Sequence, residues 1–223
     1  MSAIDIMKIF VLPVIYENND PTYKYTFTGS GIRVVHNNQH FFVVTKHQVR
    51  NENKYSPNQL CVPSADWSCF IPLSSENFVA GMDEAEDIAV YKIEQSLSCN
   101  AGIKSDFFEL NSLSSDNKLF MYGYPSKEFL PEYEKNHYNI KIVEKSAHYS
   151  CEVNDFKSRI YVDLDENYDF DGFSGGAVML IEPNQIKFVG MITNANSEGL
   201  VEFYRADKIK MILEALVKGR GFL

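Results

Sequence analysis

Short apolar runs, rich in β-branched and aromatic residues, recur along the whole chain and are separated by turn signals. Runs of this length predict strands, and their close spacing is typical of an all-β sandwich or barrel. In the first half the predicted strands are KIFVLPVIY, YKYTFTGSGIRVV, HFFVVTKH, QLCVP, SCFIPL and DIAVYKI. In the second half they are KLFMYGYP, NIKIVE, AHYSCEV, RIYVDLD, AVMLIE, IKFVGMIT and LVEFYR.

Two local patterns predict how the chain turns and how it ends. The tetrapeptide HNNQ at 36–39 predicts a hairpin turn between two strands. Near the end, RADKIKMILEALVKG predicts a helix packed on the second half, with Asp207 as its N-cap or first-turn acid and Gly219 as its stop. The apolar positions of this helix follow the i, i+3, i+4, i+7 spacing of one face: Ile209, Ile212, Leu213 and Leu216.

The length of 223 residues fits one large domain or two small domains packed together. The polar stretch at 96–117 is the best candidate for a linker between two halves. We therefore predict an N-terminal unit over residues 1–100 and a C-terminal unit over residues 101–223.

The charge balance narrows the classes of partner. The chain has 30 acidic and 21 basic residues, a net charge of −9, whereas a general nucleic-acid binder normally carries a basic face. The first apolar run, IFVLPVIY, has eight residues and contains Pro13, so it predicts neither a secretory signal nor a membrane span. We therefore expect a cytoplasmic protein with no nucleic-acid partner and no membrane partner.

The four cysteines, Cys61, Cys69, Cys99 and Cys151, have irregular spacings that match no zinc pattern. Free thiols in a reducing cytosol are the expected state. The main alternative is a Cys61–Cys69 bridge across a hairpin.

The stretch DFDGFSGGAVML, at 169–180, places a lone serine, Ser174, among glycines. On its own Ser174 is a turn residue, but GFSGG also fits two catalytic patterns. One is the nucleophile elbow G-x-S-x-G of the α/β-hydrolases, which needs a histidine after the serine. All five histidines precede Ser174 and no strand–helix alternation is present, which excludes the elbow. The other pattern, G-x-S-G-G, remains.

Two further motifs precede this serine in a fixed order. VVTKH places His47 after an apolar strand, and DIAVYKI places Asp87 at the start of another, with Asp83, Glu84 and Glu86 as rival acids. With GFSGG, these motifs resemble the histidine, aspartate and serine segments of the trypsin-like, chymotrypsin-fold serine proteases. The resemblance covers roughly residues 26–206. It implies an all-β fold of two antiparallel six-stranded β-barrels with a C-terminal α-helix.

The resemblance also implies a role for each group. Ser174 would attack a peptide carbonyl, His47 would take its proton, and Asp87 would orient the imidazole and stabilise its charged form. The backbone amides of Gly172 and Ser174 would form the oxyanion hole. This chemistry requires no cofactor and no metal.

The specificity pocket is expected from the same resemblance. Tyr168 would form its floor, followed by Asp169, and Asp171 would lie near its mouth. The strand Thr193-Asn194-Ala195 would form a wall and pair with the substrate backbone. The Thr193 hydroxyl would also support Asp87. Two carboxylates favour a basic or polar P1 residue, whereas a Tyr168 side chain that filled the pocket would restrict P1 to a small one.

Three departures from the family pattern change the expectation. Gln48 follows His47 where the family has a disulfide cysteine, Phe173 precedes the nucleophile where zymogen-type enzymes carry aspartate, and no I-V-G-G processed N-terminus is present. They predict an intracellular, bacterial-type branch whose oxyanion loop is ordered without N-terminal processing, through burial of Phe173 or through an activating protein partner.

The sequence thus predicts a serine endopeptidase that cleaves one or a few protein partners, by analogy as an effector in a bacterial defence or signalling operon. The alternatives are a catalytically silent, peptide-binding pseudoprotease and an esterase on the same scaffold.

Overall fold

The computed structural model describes residues 3–17, 24–49, 60–64, 69–74, 78–80, 86–93, 102–109, 113–132, 137–164, 168–183 and 185–219. Within these ranges the chain forms sixteen strands, three α-helices and two short 3-10 turns. No helix in the described part is long and apolar enough to cross a bilayer. Cys99, Asp83 and Glu84 lie outside the described residues.

The first half of the chain forms one curled sheet of eight strands. Its order is β5-β4-β1-β2-β3-β7-β6, and β8 pairs with β2 in parallel. The strands are β1 (Val11–Glu17), β2 (Tyr25–His36), β3 (Gln39–Val44), β4 (Leu60–Pro63), β5 (Phe70–Pro72), β6 (Phe78–Ala80), β7 (Ala89–Ile93) and β8 (Ile103–Lys104).

The second half forms a closed, antiparallel barrel in the order β12-β13-β16-β15-β14-β9, while β10 and β11 form a separate hairpin. Its strands are β9 (Lys118–Gly123), β10 (Leu130–Glu132), β11 (His137–Asn139), β12 (Val143–Glu152), β13 (Lys157–Val162), β14 (Ala177–Glu182), β15 (Gln185–Ala195) and β16 (Leu200–Arg205). The predicted six-stranded second barrel is confirmed.

The first half differs from the expected six-stranded barrel. It has eight strands, and the described part is an open sheet rather than a closed barrel. One of these strands, β8, comes from the stretch at 96–117 that was predicted to be a linker. Ile103 and Phe108 are only 4% and 5% exposed, and the Phe108 ring packs against Phe188 of the barrel. The polar composition of the stretch hides these apolar anchors, so part of it belongs to the core.

The N-terminal segment is also different from the prediction. The strand expected from Lys8 begins only at Val11, because Ala3–Phe10 forms the helix α1. Met7 is 1% exposed in the core, and Ile6 and Phe10, one helical turn apart, pack beside it. Two turns are too short to show a clear period in the sequence.

The predicted hairpin turn and closing helix are confirmed. His36 pairs with Gln39, and Asn37 and Asn38 both have positive φ (48° and 59°), as a type I′ turn requires. The closing helix, α3, spans Ala206–Val217 and carries Asp207 in its first turn. Its predicted face packs on the core, and Gly219 follows its end at φ 65°. Ile209 and Leu213 are fully buried.

The described cysteines, Cys61, Cys69 and Cys151, form no disulfide bond, as predicted. The hairpin register explains why Cys61 and Cys69 do not bond: Cys61 lies opposite Pro72, whereas Cys69 lies opposite Ser64. Burial raises the pKa of the Cys61 thiol to about 12, so this group is held as an unreactive thiol.

Three clusters of buried side chains hold these layers together. One lies inside the first sheet, and one lies inside the barrel. The third joins the two halves, from Val11 and Ile32 of the first sheet to Met179 and Met191 of the barrel. The candidate catalytic residues lie along this junction.

Candidate catalytic site

His47 follows the end of β3, an interior strand of the first sheet. The chain leaves β3 at Val44 and forms a one-turn helix, α2, over Lys46–Val49. Lys46, Gln48 and Val49 are buried, whereas the His47 side chain is 50% exposed. The helix therefore fixes the backbone on its buried side and leaves the imidazole accessible.

Asp87 forms two hydrogen bonds with His47. Its Oδ2 lies 2.6 Å from His47 Nδ1, and its Oδ1 accepts the His47 backbone N–H at 2.9 Å. Asp87 stands two residues before β7, and β7 pairs with β3 so that Ala89 lies opposite Val44. Burial by itself raises the pKa of the Asp87 carboxyl, but the hydrogen bonds and charge of His47 outweigh it and hold that pKa below its ordinary value.

Ser174 lies on a tight loop that leads into β14. Phe173 N–H donates to Phe170 O at 2.9 Å, and Gly172 has φ 91°, which together define a type II turn with glycine at its third position. Asp171 O accepts the N–H of Ser126 at 2.8 Å. Because a trans peptide directs its C=O and N–H oppositely, this bond turns Gly172 N–H away from Ser126.

Phe173 is the internal anchor of this loop. Its side chain is 0% exposed, and its ring packs edge-on against Tyr168 and Phe170, with centroids 6.2 and 5.7 Å away. A Cβ on Gly123 would lie 2.7 Å from the ring, so glycine at that position makes room for it. The expected burial of Phe173 is confirmed, and an apolar contact stands where zymogen-type enzymes use a carboxylate.

The loop is also tied to β15. Gly175 N–H donates to Ile192 O at 2.8 Å, and Ile192 N–H donates to Gly176 O at the same distance. Ser174 Oγ donates to Thr193 O at 3.4 Å. The expected support of Asp87 by Thr193 is not observed, because the Thr193 hydroxyl donates to Glu202 O at 3.3 Å.

Ser174 and His47 do not share a hydrogen bond among those of the described residues. His47 Nε2 instead lies 3.3 Å from Thr45 Oγ1, whose own hydrogen is donated to Gln48 Oε1 at 2.8 Å. Catalytic hydrogen bonds are often long in unliganded sites and tighten when substrate binds.

A cleft of about 560 Å³ opens beside Ser174. Ligand pockets have volumes of this order, and Tyr168 is one of the residues that line this cleft. Thr193, which is 3% exposed, does not line it. The lining residues are Tyr168, Asp169, Phe170, Asp171, Gly172, Phe173, Ser174, Ile192, Asn194, Ala195, Asn196 and Ser197.

The charges around the cleft are of both signs. Asp169 and Asp171 are exposed, and Asp169 Oδ1 accepts the Asp171 N–H at 2.9 Å. The ammonium groups of Lys127 and Lys145 lie 3.6 and 4.2 Å from the centre of the Tyr168 ring. These cation–π contacts hold the Tyr168 ring. The two carboxylates are the charged groups that line the cleft itself.

Sequence reasoning missed several residues that build this site. Ser30 is 0% exposed; its hydroxyl donates to Gly172 O at 2.9 Å and accepts the Tyr124 N–H at 2.9 Å. Gln48 stands out in the sequence only because it follows His47 where the resembled family has a cysteine. Ser126, Lys127 and Lys145 stand in no recognisable motif. None of the described residues forms a cluster of three or more potential metal ligands.

Of the three comparisons with known proteins, the one with solved structures identifies the fold. No protein-family model matches the chain, and no curated protein matches it. A similar solved structure is the crystal structure of an inactivated protease paralogue from the scabies mite, with a TM-score of 0.61 and 14% identity over 96% of this chain and 95% of that one. The closed barrel, the curled sheet and the closing helix therefore form a chymotrypsin-like fold.

Proposed function

We propose that this chain is a serine endopeptidase that uses His47, Asp87 and Ser174. The observation that carries the proposal is the paired contact of Asp87 with the Nδ1 and the backbone N–H of His47. That contact leaves Nε2 as the ring nitrogen available for proton transfer. Ser174 supports the proposal from the other side of the junction, on a loop whose type II turn directs the Gly172 N–H away from Ser126.

The proposed reaction uses only groups of this chain and water. His47 Nε2 takes the Ser174 hydroxyl proton as Oγ attacks the peptide carbonyl, and the N–H groups of Gly172 and Ser174 stabilise the oxyanion. His47 returns the proton to the departing amine, which leaves an acyl-enzyme. Water, deprotonated by His47, then releases the acid and regenerates Ser174.

The proposed substrate is a protein segment that binds in extended form along Asn194 and Ala195. Asp169 and Asp171 line the cleft, so a basic P1 side chain is favoured electrostatically. The further proposals are an intracellular, bacterial-type enzyme, cleavage of one or a few partner proteins, and activation by a protein partner.

The second candidate function is a peptide-binding pseudoprotease. Two observations favour it: the similar solved structure is an inactivated paralogue, and Ser174 Oγ is hydrogen-bonded to Thr193 O instead of to His47. Such a module would hold a peptide in the same cleft without cutting it.

Labelling with a fluorophosphonate distinguishes these functions, because the reagent reacts only with an activated serine. We expect one adduct on Ser174, found by peptide mass spectrometry, and none in Ser174→Ala; Ser150→Ala, at an exposed serine of β12, is the matched control. Cleavage of peptides as well as esters establishes the endopeptidase, and ester turnover alone establishes an esterase. A protein that binds peptides and takes no label is the pseudoprotease, and this result overturns the proposal.

A further inference from the structure

The side chain of Gln48 connects the two halves of the candidate site. Its Oε1 accepts the backbone N–H and the hydroxyl of Thr45, at 2.9 and 2.8 Å. Its Nε2 donates to Ser30 O at 3.0 Å and to Ser174 O at 3.2 Å. A glutamine amide has two donor hydrogens and two acceptor lone pairs, so all four capacities are used.

Both ends of this amide lie next to a candidate catalytic group. Thr45 is two residues before His47 and accepts the Gln48 N–H at 3.2 Å, which closes the turn that carries the histidine. At the other end, the carbonyl of Ser174 also accepts the Ser30 N–H at 2.8 Å. The link therefore runs from the histidine turn, through one buried side chain, to the backbone of the nucleophile.

The surroundings leave no room for a different arrangement. Gln48 is 4% exposed. A Cβ on Gly29 would lie 2.5 Å from Gln48 Nε2, and a Cβ on Gly175 would lie 1.8 Å from Ser30 O and 2.9 Å from Gln48 Oε1. Glycines on both sides thus let the backbone pack closely around the amide. Loss of a hydrogen bond by this buried amide would lower the stability of the folded protein.

We infer that Gln48 is a positioning residue that sets the distance between the turn of His47 and the loop of Ser174. The inference rests on the proposed function for its catalytic consequence, whereas the link itself does not depend on catalysis. The turn at 46–49 contains no cysteine and therefore no disulfide. The hydrogen bonds of the Gln48 amide connect this turn to the loop of Ser174 instead. Small displacements of reacting groups are enough to slow a reaction by about 10²-fold.

The test compares three variants. Gln48→Met has a similar length and removes all four hydrogen bonds, and Gln48→Glu keeps an acceptor for Thr45 but removes both donors. Gln39→Met makes the same exchange at the hairpin end of β3 and is the control. For Gln48→Met we expect kcat to fall by about 10²-fold with little change in KM, and we expect Gln39→Met to be unaffected. Gln48→Asn, which keeps the amide on a shorter side chain, replaces Gln48→Met should the latter not fold.

A second measurement separates failure of this inference from failure of the proposed function. Amide hydrogen exchange is measured in the segments 45–49 and 172–176. Gln48→Met is introduced both into the otherwise unchanged chain and into Ser174→Ala, which retains the backbone carbonyl at position 174. We expect Gln48→Met to speed exchange in both segments together. A chain without turnover refutes the proposed function and leaves the exchange result decisive for the link. Unchanged exchange in either segment, or a lower melting temperature with unchanged kcat of the folded protein, overturns the positioning role.

Discussion

The two halves of the molecule hold their candidate catalytic groups very differently. On the barrel side, the loop of Ser174 has its backbone bonded to Phe170, Ser126 and Ile192, and the Phe173 ring beneath it is fully buried. On the sheet side, His47 stands half exposed on a helix of four residues and depends on a few polar contacts.

This difference separates two requirements of the proposed chemistry. Oxyanion stabilisation needs donors that are fixed before the reaction, and the proposed donors, the N–H groups of Gly172 and Ser174, belong to a loop anchored by packing on the barrel. Proton transfer needs an accessible base in a fixed orientation, and the half-exposed imidazole that Asp87 holds meets both conditions. We therefore expect an activating partner to bind on the sheet side. We also expect that loss of activity in a silent paralogue would arise there.

The largest effect is expected from removal of the reacting groups themselves. Ser174→Ala and His47→Ala should each lower kcat for peptide cleavage by on the order of 10⁵–10⁶. Stability should hardly change in Ser174→Ala, because Ser174 Oγ makes one long hydrogen bond, whereas His47→Ala removes the imidazole partner of Asp87 and should lower stability. Steady-state kinetics and thermal unfolding measure the two quantities, with Ser150→Ala as the control. Near-normal turnover in Ser174→Ala would contradict the proposed serine-protease function.

Asp87→Asn is expected to lower kcat by about 10⁴, because asparagine favours the wrong tautomer of His47. The matched control is Asp163→Asn, since Asp163 pairs with His148 at 3.2 Å on the barrel surface, away from the candidate site. Kinetics of both variants test the comparison directly. Equal losses in the two would mean that the His47–Asp87 pair has no special role.

The same carboxylate predicts a pH dependence of stability. Its pKa is lower in the folded than in the unfolded chain, so its stabilising contribution is present above about pH 4 and is lost as the pH falls through the folded value. The stability difference between the unsubstituted chain and Asp87→Asn should therefore shrink on acidification. Urea unfolding at a series of pH values measures it; a difference that grows toward acid pH contradicts this sign.

Phe173→Asp tests whether packing orders the barrel side. A carboxylate in this fully buried site would lack a partner and should destabilise the protein by several kcal/mol. Phe173→Ala should lose about 3–5 kcal/mol, and Phe173→Leu, which keeps the site apolar, should lose least. Denaturant unfolding and the rate of fluorophosphonate labelling are measured together. Faster labelling in Phe173→Asp would show that a carboxylate, rather than packing, is the better anchor for this loop.

Motif order and strand periodicity predicted the fold class, the closed second barrel, the hairpin at 36–39 and the closing helix. They did not predict α1 or β8, because two helical turns and a two-residue strand carry too few apolar positions to show a period. Their anchors, Met7 and Ile103, were recognisable only by burial.

The candidate site shows the same limit. His47, Asp87 and Ser174 stand in motifs, and the structure brings His47 and Asp87 together. Ser30, Gln48 and Ser126 act through one hydrogen bond or a few each, between residues far apart in the chain, and no local pattern encodes such partners. Thr193 illustrates the opposite error: a matching position does not fix the direction of its hydroxyl, which donates to Glu202 O.

The carboxylates of the cleft are expected to have a moderate effect, on specificity only. Asp169→Asn should reduce the preference for arginine over glutamate at P1 by about fivefold, since an exposed charge pair contributes about 1 kcal/mol. Asp155→Asn, at an exposed position of the β12–β13 connection, makes the same change in net charge and is the control. The ratio of kcat/KM for two matched peptides is measured. An unchanged ratio in Asp169→Asn rules this carboxylate out as the selector.

The smallest effect is expected from the N-terminus, which in zymogen-type enzymes is the switch. There a new ammonium pairs with the aspartate before the nucleophile, but Phe173 offers no carboxylate, and a buried unpaired ammonium would cost several kcal/mol. In this chain α1 instead buries Met7, and β1 pairs with both β2 and β4. Chains with and without an N-terminal tag should therefore cleave peptides equally well.

Removal of the N-terminal helix tests the same role of the N-terminus. Removal of α1 should lower the melting temperature, because loss of a buried methionine side chain alone costs about 2–5 kcal/mol, and it should not raise turnover. Side-by-side kinetics and unfolding of the tagged, untagged and trimmed chains measure both quantities. A strict requirement for a free new N-terminus would mean that another carboxylate receives its charge, and that the loop of Ser174 is not ordered by its own packing. Equal activity would instead place any control of this site on the sheet side, where His47 is held by Asp87 and its turn by Gln48.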